Sequence, residues 1–185
     1  MRRPVAAVVS ALFFVVVPGT AGGLVPWLLT GWQVHEPVPF WAPLRVLGVI
    51  LLVAGLIVMV QAFVRFVVEG FGTPVLVAAP ERLVVGGVYR YVRNPMYVAM
   101  LAVIVGQALL LGQLGLLLYA VAFWLIAAAF VHWYEEPTLT RRFGADYEAY
   151  RRAVPAWWPR LRPWKPSEHD NLAHDELPRN RDTRI

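Results

Sequence analysis

The sequence predicts an all-α integral membrane protein with about four transmembrane helices and a C-terminal cytoplasmic amphipathic helix. The chain of 185 residues is 58% hydrophobic but only 16% charged, whereas soluble domains average about 25% charged residues. Four apolar runs are long enough, or nearly long enough, to cross a bilayer. Beyond the last run, apolar residues recur at helical spacing among arginines. These observations together favour this fold class.

The first apolar run covers residues 5–29 and is interrupted only by Ser10, Thr20 and a few glycines and prolines. Its 25 residues suffice for a helix that rises about 1.5 Å per residue to cross a hydrocarbon core of about 30 Å. The N-terminal arginines and the small residues near Thr20 also fit a cleaved signal peptide. We favour a retained span, because the apolar run resumes at residues 24–29.

Three further spans are predicted at residues 44–68, 95–111 and 114–134. Arginines lie near both ends of the first of these, where long side chains can reach the headgroups. Only a Gly-Gln pair separates the last two spans. These two spans should therefore form a tight antiparallel helical hairpin.

The distribution of Lys and Arg sets the expected orientation, because these residues stay on the cytoplasmic side of the membrane. The termini and the loop 69–94 hold nearly all of them, whereas the connection 31–43 holds none. We therefore expect both termini, that loop and the C-terminal region to be cytoplasmic, in a plasma membrane of the bacterial type.

An interfacial helix is predicted at about residues 137–154. One helical stripe contains Leu139, Phe143, Tyr147, Tyr150 and Val154, while four arginines occupy other faces. Such a helix would lie on or just under the cytoplasmic face, held by its apolar stripe and its arginines. Residues 1–165 should form a single domain, and the charged residues 166–185 a disordered tail.

The formal charge of +5 alone would allow nucleic acid or anionic lipid as a partner. Residues 1–134 hold 7 bases within long apolar segments, and residues 135–185 balance 10 bases with 9 acids. This distribution favours membrane lipid over nucleic acid.

Cysteine is absent, which excludes a disulfide framework and a cysteine nucleophile, and no histidines occur at metal spacing. We therefore expect no metal site.

Two polar clusters should meet at the cytoplasmic mouth of the hairpin. Residues 87–97, rich in Tyr and Arg, enter the third span, and Glu135 and Glu136 leave the fourth. Topology-setting arginines, an aromatic belt and a helix-initiating Pro95 would explain the first cluster without a functional site. They do not explain two adjacent carboxylates, which repel each other and need cationic or hydroxyl partners at a membrane edge.

The same residues form an ordered double motif. Its halves are Gly87-x-Tyr89-x-x-x-Arg93-Asn94-Pro95-x-Tyr97 and Glu135-Glu136-x-x-Leu139-x-x-x-Phe143-Gly144-x-x-Tyr147-x-x-Tyr150-x-x-x-Val154-Pro155. Over roughly residues 70–160, this pattern resembles the isoprenylcysteine carboxyl methyltransferase family and its relatives among the phospholipid methyltransferases. The resemblance implies a membrane methyltransferase that binds S-adenosylmethionine at the cytoplasmic mouth of the last helices. A lipophilic or lipid-anchored acceptor would reach it sideways from the bilayer.

The resemblance also implies roles for individual residues. The expected catalytic residues are Arg93, Asn94 and Tyr97, and the expected cofactor-binding residues are Tyr89, Arg93, Asn94, Pro95, Tyr97, Glu135 and Glu136. The two glutamates would bind ribose hydroxyls or the amino group of the cofactor. Asn94 and Tyr97 would hydrogen-bond its amino-acid or ribose part. Arg93 would pair with a carboxylate of the cofactor or of the acceptor, and Tyr89 and the stripe 143–150 would close the pocket from below.

Asn94 departs from the family's pattern, because the best-known members have His between the arginine and the proline. Asn can donate and accept hydrogen bonds, but it cannot titrate or carry charge near neutral pH. Any role that needs imidazole is therefore doubtful, whereas a purely positioning role survives.

Two other functions fit part of the sequence. A membrane reductase of the sterol-reductase type would bind NADPH at the same face, with the arginines of the interfacial helix near its phosphates. The glutamate pair argues instead for the methyl donor. A non-enzymatic small membrane subunit would depend on polar residues inside the spans, and these offer little beyond Gln61, Arg65 and Gln107.

Overall fold

Every regular element is helical in the two segments that the structure, a computed structural model, describes, namely residues 16–70 and 83–165. The helices in chain order are α1 (Val16–Thr30), α2 (Ala42–Gly70), α3 (Pro95–Leu111), α4 (Gly115–Phe130) and α5 (Glu136–Ala153), of which α5 is kinked at Gly144. A 3₁₀ turn, Gly87–Arg90, precedes α3, and a π-helical turn, Val131–Glu135, joins α4 to α5. The predicted all-α class is confirmed for the described residues.

Within residues 16–70 and 83–165, two helical runs are long and apolar enough to cross a membrane. One is α2, over Ala42–Phe66, and the other begins with α4 at Gly115. Of the 18 most apolar consecutive residues of each run, only 22% are buried against the rest of the protein. Most of these apolar side chains therefore point outwards, unlike those of a core helix in a soluble protein. The described part of α1 is shorter, as is α3.

The predicted spans agree closely with the observed helices. The span 44–68 lies within α2, the span 95–111 coincides with α3, and the span 114–134 corresponds to α4 with its π-helical turn. Residues 5–15 of the first predicted span lie outside the described residues, as does the predicted tail 166–185. That four helices cross the bilayer stays a prediction.

Glycines allow α2 and α3 to pack with their backbones in contact. A Cβ atom added to Gly106 of α3 would lie 2.8 Å from the carbonyl oxygen of Gly48 and 2.8 Å from the amide nitrogen of Leu52. A Cβ atom on Gly48 would in turn lie 2.7 Å from the Gly106 carbonyl oxygen. A larger residue therefore does not fit at this crossing, which is typical of closely packed membrane helices.

Gly106→Ala should destabilise the protein measurably. The new methyl group would collide with backbone atoms of α2, which cannot rotate away, and overpacking of this kind costs about 1–3 kcal/mol. We expect a lower Tm in detergent, followed by intrinsic tryptophan fluorescence. Gly115→Ala is the matched control, because nothing lies within 4 Å of a Cβ atom there. Equal Tm values for the two variants would contradict the packing described above.

A tight turn joins α3 to α4. Gly112 ends α3 with φ at +67°, in the left-handed region that glycine adopts without strain. The amide of His35 donates to the carbonyl of Leu111 at 2.7 Å, and a Cβ atom on Gly112 would meet the His35 carbonyl. The predicted tight hairpin is thus confirmed, and the connection between α1 and α2 packs on its turn.

Side chains of the hairpin hold α1 in place through its own π-helical turn, Thr20–Leu24. The Nε2 atom of Gln107 donates to the Gly22 carbonyl at 2.7 Å, and the hydroxyl of Tyr119 donates to the Ala21 carbonyl at 2.8 Å. The bond to Gly22 satisfies the buried side-chain amide of Gln107, which would cost about 1–3 kcal/mol if it had no partner.

The apolar stripe of α5 packs on protein. Tyr147 and Tyr150 are each 3% exposed and belong to a cluster with Leu83, Val85 and Trp164. The expectation that this stripe rests on the membrane face is therefore wrong. Leu83 and Val85, which precede α3, and Trp164, which follows α5, cover the stripe and remove its apolar surface from water. The arginines of α5 remain exposed.

Residues 155–164, called the strap below, run beside the segment that leads into α3. The backbone amides of Arg93 and Asn94 donate to strap carbonyls at 2.9 and 3.2 Å, and two strap amides donate back to this segment at 3.0 and 2.9 Å. The Nε atom of Arg90 adds a bond of 2.6 Å to the carbonyl of Trp164. The strap therefore fixes the backbone where the first half of the sequence motif lies.

Candidate active site

A cleft lies where α3 begins and where α4 gives way to α5. Its walls come from the end of α2, the segment before α3, the π-helical turn and α5. The space inside it that a water-sized molecule can occupy is about 60 Å³, and the cleft is partly open to solvent. The lining residues are Phe66, Leu83, Val84, Tyr89, Arg93, Asn94, Val131, Glu135, Glu136, Leu139, Tyr147 and Tyr150.

Arg93 makes the main polar contacts across the cleft. Its Nη1 atom donates to Oε1 of Glu136 at 2.8 Å and to the hydroxyl of Tyr147 at 3.0 Å. The side chains of Arg93 and Glu136 are only 12% and 16% exposed. Water therefore screens this ion pair weakly, and removal of either partner would leave a largely buried charge. The pair ties the start of α3 to the start of α5.

Asn94 presents a buried amide to the cleft. The residue is 7% exposed, and its Nδ2 atom has no hydrogen-bond partner among the residues that the structure describes. Asn often caps a helix through its side chain, but Asn94 makes no such bond to α3. In the same part of the chain, the Nε atom of Arg93 is also without a partner. Because buried donors without acceptors are costly, both nitrogens would gain from an acceptor, although protein atoms now cover them almost completely.

Tyr97 and Glu135 meet across the hairpin. The hydroxyl of Tyr97 donates to Oε2 of Glu135 at 3.5 Å. The Tyr97 ring also lies 6.2 Å, between centroids, from that of Trp157 in the strap. The π-helical turn ending at Glu135 shifts the helical register. The adjacent glutamates engage different partners, Tyr97 for Glu135 and Arg93 for Glu136.

The carboxyl of Glu135 lies just beyond the apolar run 114–134, and its pKa is raised to about 7. Burial is the main cause, because it disfavours the charged form. The hydroxyl of Tyr97 and the charge of Arg93 lower this pKa, whereas Glu136 raises it further. Near neutral pH, the group is therefore poised between acid and carboxylate, and a bound cation would favour the carboxylate.

Tyrosines form the inner wall of the cleft. The hydroxyl of Tyr150 donates to the carbonyl of Tyr89 at 2.7 Å, and that of Tyr147 accepts from Arg93. Burial raises the pKa of both Tyr147 and Tyr150. Both phenols therefore stay protonated at physiological pH and fix the position of α5 against the segment before α3.

Most of the residues singled out from the sequence come together. Tyr89, Arg93, Asn94, Glu135 and Glu136 line the cleft, and Tyr97 adjoins it through Glu135. Pro95 is not part of the wall; it is buried and occupies the first position of α3, where its fixed φ suits a helix start. What each side chain binds stays a prediction.

Four apolar residues of the wall, Phe66, Leu83, Val84 and Val131, were not predicted. Phe66 and Val131 are among many apolar residues near the ends of spans, and the other two lie in the loop 69–94, which has no periodic pattern. The strap was also unexpected, although the motif extends to Pro155 at its first position.

Comparisons with known proteins point to methyltransferases. The sequence profile of the phospholipid methyltransferase family matches residues 44–146, which is more than half of the chain and includes the cleft residues from Phe66 to Leu139 but not Tyr147 and Tyr150. A Protein-S-isoprenylcysteine O-methyltransferase from Schizosaccharomyces pombe is 37% identical over 78 residues, or 42% of this chain. The aligned segment spans only 33% of that relative's length.

Proposed function

The chain belongs to the phospholipid methyltransferase family, and from this premise we propose that it transfers a methyl group from S-adenosylmethionine to a lipophilic or lipid-anchored acceptor. The observation that carries the proposal is the convergence of Arg93, Asn94 and Tyr97 with Glu135 and Glu136 at one end of a helical hairpin. The acceptor would resemble an isoprenylcysteine carboxylate or a phospholipid.

The groups in the cleft fit the polar parts of S-adenosylmethionine, which are an amino group, a carboxylate and ribose hydroxyls. Glu135 and Glu136 supply acceptors for the hydroxyls or the amino group. The unpartnered nitrogens of Asn94 and Arg93 supply donors for carboxylate or ribose oxygens. Tyr147 and Tyr150 supply an aromatic wall.

S-Adenosylmethionine supplies a methyl group that its positively charged sulfur has already activated. The site residues therefore need only hold the acceptor in line with that methyl group and exclude water. Arg93 would pair with a carboxylate of the cofactor or of the acceptor. Tyr97 lies where the polar cleft meets the aromatic surface of the strap, which suits contact with both molecules.

Proton movement at this site would involve Glu135 and not residue 94. Asn94 cannot titrate near neutral pH, so its role is to position a ligand. Glu135, with its pKa raised to about 7, is suited to accept a proton. A carboxylate acceptor would need no base, whereas an amine acceptor must lose a proton before it attacks, and Glu135 would take it.

We also propose four membrane spans with both termini cytoplasmic, in a plasma membrane of the bacterial type. The outward-facing apolar side chains of α2 and α4 support this placement. It would set the cleft at the cytoplasmic end of the hairpin, near the headgroups. A lipophilic acceptor could then reach the cleft from the bilayer.

The two alternative functions have less support. For a sterol-type reductase that uses NADPH, the arginines of α5 that were candidates for phosphate contacts are exposed, and none lines the cleft. For a non-enzymatic subunit, Gln107 is engaged with Gly22. Gln61 and Arg65 line a separate groove beside Arg90.

Equilibrium binding of labelled S-adenosylmethionine to the detergent-purified protein tests the proposal. We expect saturable binding that NADPH does not displace. Displacement by NADPH would favour the reductase, and absence of binding to a protein with a cooperative thermal transition would contradict the methyltransferase.

The contribution of Glu135 to binding should depend on pH. Since the carboxyl has a pKa of about 7 and only its charged form attracts a cation, its effect is complete well above pH 7. About 10% of the group is charged one pH unit below its pKa. We therefore expect the affinity ratio of the wild type to Glu135→Gln to fall about tenfold from pH 8 to pH 6. The ratio cancels titration of the cofactor itself; a ratio independent of pH would contradict this role.

A further inference from the structure

The inner side of the strap reaches the apolar layer of the helices. The ring of Trp157 packs edge-on against Trp124 of α4, with centroids 6.2 Å apart and planes at 72°. Trp124 lies in the middle of the apolar run 114–134. If that run crosses the bilayer, the Trp157 ring, which also lies 6.2 Å from that of Tyr97, lies within the apolar layer. The backbone bonds from Arg93 and Asn94 keep the strap itself at the start of α3, at the layer's edge.

The outer side of the strap is uncovered and apolar at two points. Trp158 is 81% exposed and Leu161 is 98% exposed. The basic residues Arg162 and Lys165, immediately beyond, are exposed as well. Arg160 is not part of this surface, because its Nη1 atom donates to the carbonyl at the end of α5 at 2.7 Å.

We propose that the outer side of the strap is a membrane anchor, in which Trp158 and Leu161 enter the headgroup layer, while Arg162 and the adjoining Lys165 contact lipid phosphates. Trp is enriched at this layer because it has an apolar ring and a polar N–H group. Basic residues near an anionic leaflet are attracted by its surface potential. This proposal rests on the membrane placement proposed above.

Lipid fits this surface better than a protein partner does, because the depth of the strap is already fixed by Trp157. Trp158 and Leu161, one and four positions after Trp157, then lie next to the bilayer that contains α4. The adjacent basic residues complement its phosphates, and an exposed Trp and Leu would lose unfavourable contact with water there.

The anchor would connect the membrane surface to the cleft. Strap carbonyls accept the backbone amides of Arg93 and Asn94 at 2.9 and 3.2 Å. Movement of the strap would therefore move both residues. An anchored strap would hold the mouth of the cleft at the depth where the polar end of a lipid-like acceptor lies.

A single labelled cysteine can test this proposal, because the chain contains no cysteine. The test variants are Trp158→Cys and Leu161→Cys. Glu148→Cys, at a side chain 40% exposed on α5, is the aqueous control, and Ile126→Cys, at a residue 71% exposed on α4, is the bilayer control. Each full-length variant would carry an environment-sensitive fluorophore in vesicles of phosphatidylcholine and phosphatidylglycerol. Quenching would be measured with aqueous iodide and with nitroxide-bearing lipids.

We expect headgroup nitroxides to quench labels at 158 and 161 severalfold more than the label at 148, and iodide to quench them less. Labels at 158 and 161 that behave like the label at 148, while that at 126 is quenched by acyl-chain nitroxides, would overturn the anchor alone. A label at 126 accessible to iodide would overturn the membrane placement and the anchor with it. Labels at 158 and 161 shielded from both quenchers would indicate that another part of this chain or a second copy covers them, and would also overturn the anchor.

Discussion

The double variant Glu135→Gln/Glu136→Gln is expected to lose binding of S-adenosylmethionine while its helices still assemble. Both carboxylates line the cleft, and a hydrogen bond to a charged group contributes about 1.5–3 kcal/mol. Loss of two such bonds corresponds to at least about a hundredfold weaker binding. Gln keeps an acceptor for Arg93 and nearly the same shape, but the buried charge of Arg93 loses its counter-charge, so we expect a lower Tm with a thermal transition that stays cooperative. Equilibrium binding, with Tm as the check on folding, measures both effects.

Glu148→Gln is the matched control for this experiment. Glu148 also lies on α5, but its partner Arg151 is 3.6 Å away and both side chains are at least 40% exposed. Exposed pairs of this kind contribute about 0–1 kcal/mol. The control should therefore bind like the wild type. Binding by the double variant at wild-type affinity would refute the assignment of the glutamates.

Arg93→Met should be the most destabilising single change in the cleft. It removes the ion pair with Glu136 at 2.8 Å and the hydrogen bond to Tyr147 at 3.0 Å. Glu136 would then remain largely buried without a counter-charge, and breaking a buried pair in this way costs about 3 kcal/mol or more. We expect a fall in Tm of several degrees and loss of cofactor binding.

A second substitution separates stability from function here. In Arg93→Met/Glu136→Gln, no unpaired charge is left, so most of the lost stability should return, while cofactor binding should stay absent. Arg151→Met, at the exposed pair on α5, should leave the Tm nearly unchanged. Equal Tm values for Arg93→Met and Arg151→Met would show that the Arg93–Glu136 pair does not hold α3 against α5.

Local patterns in the sequence predicted the helices and much of the cleft. Continuous apolar runs specify α2, α3 and α4, and the Gly-Gln pair places the turn of the hairpin at Gly112. Antiparallel packing then brings the end of α4 to the start of α3. The convergence of Glu135 and Glu136 with Arg93 and Tyr97 follows from that geometry.

Contacts between distant parts of the chain could not be predicted in the same way. The stripe of α5 fits a membrane surface and a protein surface equally well, and only the tertiary fold shows that Tyr147 and Tyr150 pack against Leu83 and Val85. The strap pairs through backbone atoms, which leave no signature in side-chain periodicity. The sequence also could not predict that the Nδ2 atom of Asn94 lacks a partner, because an Asn before a helix usually caps that helix through its side chain.

The most direct test of the central proposal is methyl transfer itself. The purified protein, reconstituted with lipid and supplied with S-adenosylmethionine tritiated on its methyl group, would be given a prenylated cysteine derivative in one assay and an amine-bearing phospholipid in another. We predict that label enters the organic phase with at least one acceptor class and that Glu135→Gln/Glu136→Gln abolishes the transfer. Label that stays in the aqueous phase with both acceptors, from a folded protein that binds S-adenosylmethionine, would contradict transfer to these acceptors. Equal transfer by the double variant would contradict the site.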